Sequence, residues 1–291
     1  MDYRDWVMLQ VLNEYKNITK TAEKLFISQP ALSNRLKQIE KEFGTKIVVR
    51  GRNGIQFTPE GEYLAKNADK VISLHKNIKE NIMNMNQNVT GTLRIASSNV
   101  FTRYKLPAVL KRFQEIFPNI EFQITTGLSK DIFQLIYNHE VHIGFVRGDY
   151  NWSDEKDLLF QETLCVASKE AFTLKDLPVL PRVDYTTDIL LKIAIDNWWR
   201  NTFHKPPLIK MEVDQVDIAK DMVISGLGYA VLPSMILNGI DNLYKANITD
   251  ENGLPIIRET WMYYSAESLE LNTVKAFVEF VREFDFEEKN V

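Results

Sequence analysis

TKTAEKLFISQPALSNRLKQIEKEFG, residues 19–44, carries apolar side chains in two short helical sets separated by a break. Ala22, Leu25 and Phe26 fall on one face of a first helix that Thr19 can cap, and Phe26, Ile27 and Ser28 interrupt the run. Ser28 opens a second helix. Its hydroxyl can accept from an orphan N–H of the first turn, where the missing N–H of Pro30 costs little. Ala31, Leu32, Leu36 and Ile39 form the expected buried stripe, which leaves Gln29, Ser33, Asn34 and Lys37 outward and Arg35 near the edge. On the second helix of such a pair these side chains can reach base edges and phosphates from the major groove. Two adjacent amphipathic helices also arise from plain packing, so the next residues matter. Ile47, Val48, Val49 and Arg50 suggest a strand, RGRNG a turn, and Ile55, Gln56 and Phe57 a returning strand. A helix-turn-helix with a hairpin wing is therefore expected. Its DNA-contact candidates are Gln29, Pro30, Ser33, Asn34, Arg35 and Lys37 on the helix, with Arg50 and Arg52 at the wing tip.

The set Ala22, Leu25, Ser28, Gln29, Pro30, Ala31, Ser33, Ile39, Glu40, Gly44, Arg50, Thr58, Pro59 and Gly61 closely resembles the winged-helix domain of LysR-type transcriptional regulators. That family usually places Leu-Phe before the wing arginine. Here Ile47, Val48 and Val49 precede Arg50, all apolar, so the wing can still pack.

The 291 residues exceed one ordinary domain, so two or three units are expected. Charge is unevenly divided. Residues 1–86 hold 14 Lys and Arg against 10 Asp and Glu, while the rest holds 21 against 29, as for a mildly basic DNA-binding head on an acidic body. No run approaches the roughly 18 apolar residues of a membrane span, and the N-terminus lacks a signal peptide's basic start and apolar core, so a cytoplasmic protein without membrane partners is expected. The single cysteine, Cys165, cannot form an internal disulfide and lies in the apolar run TLCVAS, where burial is the expectation.

Thr58 and Pro59 open a third helix, with no further Gly or Pro between Gly61 and Gly91. Leu64, Ala68, Val71, His75, Ile78, Ile82 and Met85 recur at alternating spacings of four and three, a heptad seam that must be buried on the chain's own body or on a second copy. Dimerisation is favoured, and the resemblance implies the same use of a linker helix. His75 on the seam can be a pH-sensitive element or simply lie at the wet edge of a loose coil.

After NMNQNVTG, short apolar runs alternate with amphipathic helices. Strands are expected at 92–96, 120–125 and 141–146, and helices at 104–117 and 129–139, a βαβαβ order that implies a mostly parallel sheet covered by helices. A second unit begins at 164–168 and continues through 177–180, 189–203, 209–213, 216–225 and 229–232 to a return strand at 258–264. The last helix, 271–284, is expected to pack back on the first unit. The fold expected is thus α/β: an N-terminal winged helix-turn-helix (1–58), a linker and dimerisation helix (59–88), and an effector domain (89–291). The resemblance implies that this last domain is two-lobed, of the periplasmic-binding-protein type, with one lobe at about 91–162 and 266–291 and the other at about 163–265.

Ligands of open α/β sheets collect beyond the carboxyl ends of the strands. Ser97, Ser98 and Asn99, Arg147 in FVRGD, Asp214 and Gln215 after KMEV, and Arg258 in IIRETWMYY lie at such places or at crossovers. Each also has an ordinary reading as a cap or an ion pair. Two arginines and a hydroxyl-lined helix start favour a carboxylate or phosphate. VDQV, ISGLGYAVLP and IIRETWMYY further resemble a citrate-responsive branch of the LysR-type regulators, which implies a di- or tricarboxylate.

Enzymatic readings do poorly. Gly226 and Gly228 form a lone G-x-G, better read as a turn than as a nucleotide site, and His139 and His142 straddle a helix end and a strand start rather than forming a metal site. No catalytic site, metal or cofactor is expected beyond a small-molecule effector. The expected protein is a ligand-responsive regulator that binds double-stranded DNA as a homodimer, with a homotetramer implied by the resemblance and RNA polymerase as a further candidate partner. The competing reading is a small-molecule-binding or enzymatic α/β domain with an accessory helical head.

Overall fold

The computed structural model describes residues 1–51, 54–84 and 89–286. These form two compact units. The first holds residues 1–87 and 137–140, the second residues 88–136 and 141–291.

The first unit begins with α1 (Tyr3–Tyr15), α2 (Ile18–Lys24) and α3 (Gln29–Phe43). Asn17, not Thr19, caps α2: its side chain accepts the Lys20 N–H at 3.1 Å, so the helix starts one residue before Thr19. Ser28 caps α3 as expected, accepting from the Ala31 N–H at 3.3 Å, with Pro30 in the first turn and Gly44 ending the helix at φ 67°. Leu32, Leu36 and Ile39 are buried with Met8, Leu9 and Leu12 of α1. Ala31, expected in that stripe, is exposed in the first turn. Phe26, expected on the apolar face of α2, is 96% exposed at φ 56°, because the chain has already left the helix there.

The wing follows as β1 (Val48–Gly51) and β2 (Gly54–Phe57), antiparallel, with Arg50 opposite Ile55. Thr58 then bonds the Ile47 carbonyl and accepts from the Gly61 N–H at 3.1 Å, which fixes the start of α4 (Pro59–Asn84). A Cβ at Gly61 would lie 2.0 Å from the Ile47 carbonyl oxygen, so only glycine lets α4 pass this close to the wing.

The heptad seam divides. Leu64 and Ala68 are buried in the head's own core, whereas Ile78 and Ile82 are 51% and 64% exposed. Val71 is half-buried, and the exposed His75 lies against Tyr3 with ring centroids 4.4 Å apart. Met85 lies outside the described residues.

The second unit is built on a nine-stranded sheet. β3 (Gly91–Ser98), β4 (Ile120–Gly127) and β5 (Ile143–Arg147) are parallel, with β3 central. With α5 (Asn99–Tyr104), α6 (Leu106–Ile116) and α7 (Ser129–Tyr137) they make the first lobe. The continuous helix expected over 104–117 is broken at Lys105, where Pro107 restarts the helical run as α6.

The second lobe carries β7 (Pro181–Tyr185), α8 (Ile189–Thr202), β8 (Leu208–Val213), α9 (Val216–Ile224), β9 (Tyr229–Pro233) and β10 (Tyr244–Asn247). The segment expected at 177–180 is a turn, and the strand starts at Pro181 instead. The G-x-G after α9 is a turn. Gly226 has φ 79°, and a Cβ at Gly228 would lie 2.4 Å from the Pro181 carbonyl oxygen.

Two long strands join the lobes: β6 (Glu155–Ser168) and β11 (Ile257–Tyr264), antiparallel to each other. β11 also pairs with β5 of the first lobe, and β6 with β9 and β10 of the second. Met262 and Tyr264 belong to the first lobe's core, although the sequence places residues up to 265 in the second lobe. α10 (Asn272–Glu283) returns to that same core through Val274, Phe277, Val278 and Val281. Among the described residues no helix is long and apolar enough to cross a membrane.

Candidate DNA interface and effector cleft

On α3, Pro30, Asn34 and Lys37 are exposed, while Gln29 and Ser33 are half-buried and joined, Gln29 Nε2 donating to Ser33 Oγ at 2.8 Å. This internal bond fixes the Gln29 amide on the outer face of the first two turns. Arg35 departs from the expected set. Its Nε and Nη2 donate to Asp5 of α1 at 2.5 and 2.6 Å, and Nη1 donates to Gln38 at 2.8 Å. The planar fork meets the carboxylate bidentately, so Arg35 ties α3 to α1 rather than standing free for DNA. Burial alone would raise the Asp5 pKa, yet the Arg35 hydrogen bonds and charge hold it below the usual carboxylate range. Glu40 does similar work toward the wing, accepting from the Ile47 N–H at 3.1 Å and from Lys46 at 2.8 Å. The Arg50 side chain and all of Arg52 lie outside the described residues, so the wing-tip expectation finds no geometry.

In the second unit, six of the seven effector candidates line one cleft between the lobes: Ser98, Asn99, Arg147, Asp214, Gln215 and Arg258. The seventh, Ser97, is fully buried. About 560 Å³ of space lies among these residues, open solvent at the mouth included. Ser98 caps α5, accepting the Phe101 N–H at 3.4 Å, so the hydroxyl expected for a ligand is engaged locally. Ser129, at the start of α7, accepts the Arg147 N–H at 3.1 Å and holds the end of β5 in place.

The arginines are not free-standing. Arg147, 1% exposed, meets Glu162 of β6 through Nη2, not the neighbouring Asp149, which pairs with Lys156 at 2.7 Å. Arg258 of β11 meets Asp188, whose other oxygen accepts the Leu191 N–H at 3.0 Å and caps α8. Glu162 also accepts the Met235 N–H at 2.9 Å. Arg147 keeps Nε and Nη1 without hydrogen-bond partners. Burial, and then the charge of Arg258, push the Arg147 pKa down, while Asp188 and Tyr185 act the other way.

The sequence reading missed Ser129, Tyr185, Thr186, Thr187, Asp188 and Asp217, which also line the cleft. Thr186, Thr187 and Asp188 directly follow β7. Placing that strand at 177–180 hid the loop, and the strand-end rule would have found it. Cys165 is buried as expected, its thiol pushed up to about 11 by burial. His142 uses Nδ1 to accept the Arg94 N–H at 3.2 Å, a structural contact.

The family pattern described as bacterial regulatory helix-turn-helix protein, lysR family, matches residues 3–62, and that described as LysR substrate binding domain matches residues 86–285. The uncharacterized HTH-type transcriptional regulator YraN of Bacillus subtilis is 38% identical over 282 residues, 97% of this chain and 98% of the relative. YkuM of the same organism is 36% identical over 97% of both chains. Among solved structures, CbnR, a LysR family transcriptional regulator, superposes with a TM-score of 0.69 at 18% identity, covering 97% of this chain and 98% of CbnR, a likeness of fold.

Proposed function

The chain belongs to the LysR family of bacterial helix-turn-helix regulators, and on that premise we propose how it divides recognition between its two units. It is a DNA-binding transcription regulator with an effector-binding domain, not an enzyme. α3 enters the major groove with Gln29, Ser33, Asn34 and Lys37 facing the bases and phosphates, and Arg35 holding the helix in place from behind. The exposed half of the α4 seam, Ile78 and Ile82, pairs with a second copy to give a dimer, within a tetramer as the family resemblance implies, and RNA polymerase is a further partner. The cytoplasm is the compartment we infer for a protein that works on bacterial DNA.

The effector is a small molecule carrying a carboxylate, bound in the cleft between the lobes. The observation that carries this reading is Arg147, a fully buried cation at the cleft with two unsatisfied donors. A carboxylate at Nε and Nη1 would complete its hydrogen bonding and bridge the two lobes that β6 and β11 join, biasing one lobe arrangement over another. Citrate fits the resemblance, but its three negative charges would enter a cleft also lined by Asp188, Asp214 and Asp217.

Calorimetry with candidate carboxylates on the parent, Arg147→Ala and Arg258→Ala tests this. Each loss should weaken binding by about 2 to 5 kcal/mol, the range for removing one partner of a buried charge pair. Equal affinity in all three proteins, or tight binding only of neutral or cationic ligands, would refute the site. Replacing Val71 and Ile78 together by Glu should weaken dimerisation sharply in sedimentation, and an unchanged assembly would refute α4 as the main interface.

A further inference from the structure

We propose that the effector is a zwitterion of amino-acid type, its carboxylate taken by Arg147 at the end of β5 and its ammonium by Asp214 after β8. This rests on the carboxylate reading of the cleft and narrows it.

The argument is a charge inventory. Three carboxylates line the cleft, Asp188, Asp214 and Asp217, and Glu162 stands behind Arg147; all of these but Asp214 have partners. Asp188 holds Arg258 and caps α8. Glu162 meets Arg147 Nη2 and the Met235 N–H. Asp217 takes the Tyr104 hydroxyl, with Lys220 Nζ at 3.4 Å and Arg103 at 3.6 Å. Asp214 is the exception. It is exposed on the cleft wall, and no hydrogen bond or ion pair reaches it among the described residues. On the cationic side, Arg258 is matched, while Arg147 retains two buried donors without acceptors.

The cleft thus presents buried Arg147 donors without acceptors on one lobe and, on the other, the Asp214 charge, which only water meets. A di- or tricarboxylate answers only the first and adds repulsion against Asp214. A molecule bearing both a carboxylate and an ammonium answers both and ties the lobes together. Neutral hydrogen-bonding groups nearby, from Asn99, Thr186, Thr187 and Gln215, suit a small polar body between the two charges.

The test is calorimetric titration of the full chain with the common amino acids, each against the acid lacking its amino group: L-aspartate with succinate, L-glutamate with glutarate, L-alanine with propionate, and citrate as a separate arm. At least one amino acid should bind ten-fold or more tightly than its deaminated partner, and Asp214→Asn, a change at an exposed position, should erase that gap while leaving the deaminated acid's affinity unchanged or improved. A deaminated acid or citrate binding as tightly as any amino acid would overturn the proposal but leave the carboxylate site standing. An amino-acid preference untouched by Asp214→Asn would overturn it as well. Binding of no carboxylate of either kind would refute both the proposal and the carboxylate reading on which it rests.

Discussion

In the head, Asn34 and Lys37 stand in solvent and the paired Arg35 is still partly exposed. In the cleft, Arg147 and Arg258 are 1% and 8% exposed, and each meets a carboxylate of its own chain. Water screens the first set, so Lys37 can meet phosphate at little desolvation cost and its contribution should fade as salt rises. The second set lies where charges are costly to bury and attract strongly when paired, so each must be balanced, and any imbalance is informative. The same residue type therefore reads differently in the two places: an exposed basic side chain is a candidate for a polyanion, a buried one a demand for a specific partner.

The largest expected effect breaks the balance in the cleft. Glu162→Ala would leave Arg147 buried without its internal partner and should cost about 3 to 5 kcal/mol. Chemical denaturation of the full chain should show this as an earlier transition of the second unit with the head's transition unchanged. If the two units lost stability together, the charges would not be confined as described.

Next comes the ion pair inside the head. Asp5→Asn removes the acceptor of a bidentate arginine and should cost about 1.5 to 3 kcal/mol, the range for hydrogen bonds to charged groups. The sign of the pH effect is fixed by the direction of the shift. The Asp5 pKa is depressed in the folded head, so its contribution is full above the ordinary carboxylate pKa, about 3.9, and is lost as pH falls through the lower folded value. Acid titrations followed by circular dichroism should find the parent head losing stability below about pH 4 more steeply than Asp5→Asn. Parallel curves would remove the pair from the account.

A smaller and base-dependent effect is expected at the reading face. Gln29→Ala should cost about 1 to 3 kcal/mol at the preferred DNA site and little elsewhere. Mobility-shift titrations on preferred and scrambled duplexes would show this, and an equal loss on both would make Gln29 a backbone contact.

The head was the more legible region because local chemistry fixes it. Ser28, Pro30 and Gly44 mark the limits of α3 through caps and backbone preferences, and the apolar spacing gives its buried face. What escaped was pairwise. Nothing in the order of residues says that Arg35 finds Asp5 thirty positions earlier. In the second unit, the sequence marks β6 only from 164, because Lys156, Asp157, Gln161 and Glu162 interrupt the apolar run. Those polar groups are satisfied across the hinge strands, Asp157 by Tyr264 and Gln161 by Glu259, contacts visible only once β11 lies beside β6. The cleft residues at strand ends were readable where the strand itself was correctly placed, as at Arg147 and Asp214, and lost where it was not, as at Asp188. That both arginines would already hold carboxylates could not be read from spacing at all.

The division of labour between an exposed reading helix and a buried ligand cleft is tested most directly by salt-dependent binding of the full chain to DNA selected from a randomised pool, without added effector. The parent, Lys37→Ala and Arg258→Gln would be compared by fluorescence anisotropy at several salt concentrations. Lys37→Ala should weaken binding to all sequences and lower the salt slope by about one, while Arg258→Gln should keep the parent's affinity and slope. A Lys37→Ala protein indistinguishable from the parent, or an Arg258→Gln protein that loses DNA binding while its head remains folded, would contradict the account.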